Sequence, residues 1–112
     1  MLTKLEVEKK EVKEPALPRI VRNDSLVRTW FKRDDTFWVP KATLAISCRS
    51  PVATASVASL VKSRLFTDLV NDALEEYSYD AKLAGLMYTV TLDSRGVYIG
   101  VSGYNDKLPV LL

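Results

Sequence analysis

Lys41-Ala42-Thr43-Leu44-Ala45-Ile46-Ser47-Cys48-Arg49 carries an apolar or small residue at every second position. Ala42, Leu44, Ile46 and Cys48 fall on one side of an extended chain, and Lys41, Thr43, Ser47 and Arg49 on the other. That two-residue period belongs to a strand with one buried face. Ser50-Pro51 ends the strand, and Pro40 stands just ahead of it, where a residue with no amide proton to give a ladder does no harm. Beyond Pro51 the period changes. From Val57 the apolar positions are Leu60, Val61, Leu65, Leu69, Val70, Ala73, Leu74 and Tyr77, at steps of three, four and one. This spacing predicts a long helix with an apolar stripe, and Lys62, Asp68, Asp72, Glu75 and Glu76 fall largely outside it. Thr54 or Ser56 is placed to cap its start. Gly85 closes the helical region, with a break expected near Ser78-Tyr79.

Working outward, Leu86, Tyr88, Val90 and Leu92 alternate with Met87, Thr89, Thr91 and Asp93, which predicts a second strand. Asp93-Ser94-Arg95-Gly96 has the composition of a hairpin loop, and Val97 to Val101 continues as its antiparallel partner. Upstream, Leu26 to Lys32 is rich in β-branched and aromatic residues and suits a strand, interrupted by Arg33-Asp34-Asp35. The predicted fold is α+β: an antiparallel sheet with one long helix on one face, in the order ββαββ. At the end, Gly103 to Pro109 reads as a strand end followed by a helix start, with Asn105 or Asp106 as cap. The apolar Val110-Leu111-Leu112 then stands where a helix is only beginning, as in a truncated domain. Residues 1–19 form a separate stretch: mixed charge from Leu2 to Glu14, then Pro15 and Pro18, read as a linker or arm rather than a short solvated helix. The domain proper spans 20–112.

Composition excludes more than it suggests. The 112 residues suffice for one modest domain. A net charge of +2 gives no electrostatic footprint for nucleic acid or a membrane surface, and no apolar run approaches the ~20 residues of a spanning helix. The N-terminus lacks the apolar stretch of a secretory signal, and a single cysteine fits a reducing compartment, so a cytoplasmic location is expected. The decisive count is histidine, which is zero. The commonest general base and metal ligand is missing, and with it any His-His-Glu zinc site or His-activated nucleophile.

The remaining candidate groups have plain structural readings. Cys48 lies on the apolar face of its strand and is expected to be a buried structural thiol. Asp72, Glu75, Glu76 and Asp80 are read as solvated acids rather than cation ligands. Trp30, Phe31, Lys32 and Arg33 mix aromatic and basic residues, but Trp30 and Phe31 lie on opposite faces and Asp34-Asp35 follows, so nucleic acid is not expected. Ser59, Lys62 and Ser63 make no serine–lysine dyad without an oxyanion hole. No catalytic, cofactor-binding or metal residue is assigned.

Four collinear blocks carry a resemblance. They are Leu26 to Ala42 (with Trp30-Phe31-Lys32, Asp34-Asp35 and Pro40-Lys41-Ala42), Asp68 to Tyr79, Ala81 to Tyr88 (with Leu83-Ala84-Gly85-Leu86), and Val101 to Leu112 (with Gly103-Tyr104-Asn105-Asp106-Lys107). Together they resemble the insulin-degrading enzyme (insulysin) family of zinc metallopeptidases, including its fungal pheromone-processing relatives. The resemblance implies four related α+β domains in two bowl-like halves around a chamber, with zinc bound by a His-x-x-Glu-His motif in the first domain. The matched segment corresponds to the start of the third domain, which keeps the fold without the metal motif, so no catalytic residue carries over. It implies that the chain is the first part of a larger domain and a structural fragment of a peptidase that degrades short peptides. Its partners would be the parent's other domains, with self-association of the isolated chain through an open sheet edge and the C-terminus. The alternative is a stand-alone binding or assembly module, and a third reading, an independent small enzyme, is nearly excluded by the missing histidine.

Overall fold

A computed structural model describes residues 17–111. The charged stretch 2–14, Pro15 and Leu112 lie outside the described residues. The chain divides into two compact units, one ending at Pro40 and the other starting at Lys41.

In the first unit β1 (Arg19–Asn23) and β2 (Arg28–Phe31) form an antiparallel hairpin. Ile20 pairs with Trp30 and Asn23 with Arg28, and the register shifts between Ile20 and Arg22. Asp24 organises the loop. Its Oδ1 accepts from the backbone N–H groups of Leu26 (2.9 Å) and Val27 (2.7 Å), while Arg22 Nε donates to its Oδ2 at 2.7 Å. β1 is a strand the alternation did not reveal. Arg19-Ile20-Val21-Arg22-Asn23 places two apolar residues side by side, and the irregular register absorbs the resulting loss of period.

The second unit holds β3 (Lys41–Arg49), a 3-10 turn (Pro51–Thr54), α1 (Val57–Leu83), β4 (Met87–Asp93), β5 (Gly96–Tyr104) and α2 (Leu108–Leu111). The three strands make an antiparallel sheet in the order β3-β5-β4. The predicted order of strand, strand, helix, strand, strand is the order seen, with β1 as an extra strand ahead of it. Directly opposed residues in antiparallel strands share a face. The register therefore puts Leu44, Val101 and Tyr88 in one row, Ile46, Ile99 and Val90 in the next, and Cys48, Val97 and Leu92 in the third. All nine face the helix side. The other face carries Thr43, Ser47, Thr89 and Thr91, all exposed. The β4–β5 turn is tight because Asp93 Oδ1 accepts from the N–H groups of both Arg95 (2.6 Å) and Gly96 (3.0 Å). The buried core is small: Leu86, Val101 and Leu108, with Ala42, Ala81 and Ile99 against them.

α1 begins where Ser56 Oγ accepts from the Ser59 N–H at 3.2 Å, so Ser56 rather than Thr54 is the cap. The break expected near Ser78 is absent. The Ser78 hydroxyl donates to the Glu75 carbonyl at 3.2 Å, which satisfies it inside an unbroken helix. Termination comes later. Leu86 N–H donates to the Ala81 carbonyl (2.9 Å) and Gly85 N–H to that of Lys82 (3.0 Å), while Gly85 takes φ +81°, a left-handed value that glycine adopts freely.

The face that α1 turns to the sheet matches the predicted stripe only in part: Val70, Leu74 and Tyr77 border the sheet residues Val90, Ile99 and Val101, but the most buried positions are polar. Its buried residues are Thr67 and Ser78, 2% and 4% exposed, and half-buried Ser63, Val70, Asn71 and Ala81 continue the same side. Small side chains let the helix approach closely, and their polar atoms bond locally: Thr67 Oγ1 donates to the Arg64 carbonyl at 2.8 Å and Ser63 Oγ to that of Ala53 at 3.0 Å. Leu65 and Leu69 project from the opposite side of the cylinder and are each 58% exposed. The apolar positions thus run around much of the helix instead of forming one stripe against the sheet.

Candidate functional site

Two hollows flank α1 in the second unit. One is an apolar cleft of about 460 Å³ on the helix side of the sheet, walled by Phe66, Val70, Leu74, Ile99, Val101 and Val110. Its walls come from α1, β4, β5 and Val110 of α2, and it lies where α1 does not close down on the sheet. The other is a polar hollow of about 480 Å³ between α1 and β4, with Asp68, Asp72 and Glu75 along the helix and Lys82 and Tyr88 closing it. Asn71 ties its floor together: the side-chain amide donates to the Val90 carbonyl at 2.9 Å, and Tyr88 Oη reaches the Asn71 carbonyl at 3.5 Å. The Lys82 ammonium stands 5.7 Å from the Tyr88 ring centre, a cation–π placement.

The candidate groups from the sequence do not converge. Cys48 is exposed, which corrects the expectation of a buried thiol. Its strand face is the predicted one, but β3 is an edge strand, and α1 does not reach across to cover it. Asp72 and Glu75 enter the polar hollow, while Glu76 and Asp80 are exposed and do not line it. Ser59 and Ser63 are occupied by the helix start, Ser59 with Ser56 and Ser63 with the Ala53 carbonyl. Trp30 and Phe31 sit in the hairpin opposite Ile20 and Arg19, and the Arg19 guanidinium lies 5.6 Å from the Phe31 ring. Arg33 stands 5.1 Å from the ring of Trp38, a residue held at φ +53°.

Two carboxylates in the first unit are held below their ordinary range. For Asp24 the main cause is the hydrogen bond from the Val27 amide, then those from Arg22 and the Leu26 amide. For Asp34 the cause is its bonds from the Thr36 and Phe37 amides. Both organise turns through these backbone bonds.

The donor set does not fit a catalytic zinc. Imidazole is missing from the whole chain, and among the described residues no three Cys, Asp or Glu side chains gather closely enough to hold a metal ion.

Fold and register together define an α+β unit, an antiparallel sheet with one long helix on one face. The family model for the middle or third domain of peptidase M16 matches residues 1–112, and the chain belongs to that family. It is 50% identical over 109 residues to the putative zinc protease mug138 of Schizosaccharomyces pombe, covering 96% of this chain and 11% of that protein. It is 37% identical over 110 residues to the insulin-degrading enzyme of Homo sapiens, covering 98% of this chain and 11% of that protein. The A-factor-processing enzyme of Saccharomyces cerevisiae is 37% identical over 95 residues, 85% of this chain and 9% of its own length. The crystal structure of pitrilysin superimposes with a TM-score of 0.81 over 95% of this chain and 11% of that one, at 23% identity, which establishes the fold. The chain therefore spans about a tenth of the length of these relatives.

Proposed function

We propose that this chain is a non-catalytic structural segment of an insulysin-type zinc metalloendopeptidase that degrades short peptides. In that parent, zinc would be held by another domain and would activate water for attack on a peptide carbonyl. This segment would help wall the chamber in which peptides are held, in a cytoplasmic enzyme whose other domains are its partners. The observation that carries the reading is the outward side of α1. Leu65, Leu69 and Val61 are all more than half exposed on the side of α1 turned away from buried Thr67 and Ser78. An exposed apolar helix side of this kind belongs against another surface, and relatives about nine times longer supply the body that would cover it. The hydroxyl-rich sheet face, where exposed Thr43, Ser47, Thr89 and Thr91 stand beside exposed Met87, supports the wall role, since it offers a bound peptide both polar and apolar contacts.

A hydrolysis assay on a quenched fluorescent peptide tests this. The purified chain with added zinc is expected to give no cleavage, while the full-length parent cleaves and stops on chelation. Chelator-sensitive cleavage by the 112-residue chain alone would overturn the reading.

A further inference from the structure

We draw no further inference here: the strongest candidate, the apolar cleft between α1 and the sheet walled by Phe66, Val70, Leu74, Ile99, Val101 and Val110, carries nothing because nothing in the structure shows what covers it.

Discussion

Replacing Leu65 and Leu69 with alanine separates an interior helix from a surface one. Each leucine is 58% exposed in this chain, so each has somewhat less than half of its side chain to lose from contact. Full burial of a leucine is worth roughly 1.5–3 kcal/mol. The partial burial seen here then puts each Leu→Ala change at about 1 kcal/mol or less, and alanine's better helix propensity offsets some of that. In a parent whose other domains cover the outward side of α1, the same substitutions empty a packed interface, at roughly 2–5 kcal/mol each. The two sites are one helical turn apart and share neighbours, so the double mutant need not equal the sum. Amide hydrogen exchange of α1 reads the local opening free energy in either setting, which avoids treating a multidomain enzyme as a two-state folder. The expected result is a small drop in protection in the 112-residue chain and a severalfold larger drop, in kcal/mol, in the full-length protein. Equal small effects in both would refute the argument that the outward side of α1 is covered.

Two further outcomes follow from the geometry. Gly103 has φ +150°, and a β-carbon there would press on the Leu86 side chain and lie 3.0 Å from Leu86 Cα, so Gly103→Ala is expected to lower stability by about 2 kcal/mol; an unchanged urea midpoint would contradict it. Asp24 has a folded pKa depressed below its unfolded value near 3.8, so the stability it contributes is present above that value and is lost as pH falls through the lower folded one; NMR titration of its carboxyl should find a midpoint below 3.8, and one at or above 3.8 would remove the turn's electrostatic account.

Much of the fold was legible in the sequence because two of its signals are local. The alternation of Lys41–Arg49 and of Leu86–Asp93 reproduces the faces seen in the sheet register, and Asp93-Ser94-Arg95-Gly96 is the turn its composition indicates. The helix was legible as a helix, but its orientation only in part: Val70, Leu74 and Tyr77 border the sheet, while Leu65 and Leu69 do not. A stripe argument assumes that apolar residues mark the side facing the sheet, and here Ser63, Thr67, Asn71 and Ser78 occupy that side, with their polar atoms satisfied by backbone carbonyls. Side-chain polarity cannot reveal such bonds before the neighbouring backbone is placed. Cys48 is exposed for a related reason: it lies on the apolar face that alternation indicates, but on an edge strand beyond the reach of the helix. β1 escaped because one irregular pairing in five residues erases its period. As for a site, the absence of histidine already ruled out His-based zinc chemistry, a limit that needs no coordinates.

The most direct test of the central claim is the size of the native protein that contains this segment. Antibodies raised against the purified chain would be used to blot a lysate of the source cells. The account predicts a single band severalfold heavier than a 112-residue polypeptide, which disappears when the gene for a zinc peptidase is silenced. A band only at the size of the chain itself would contradict it, and would make the outward face of α1 the binding surface of a small independent protein.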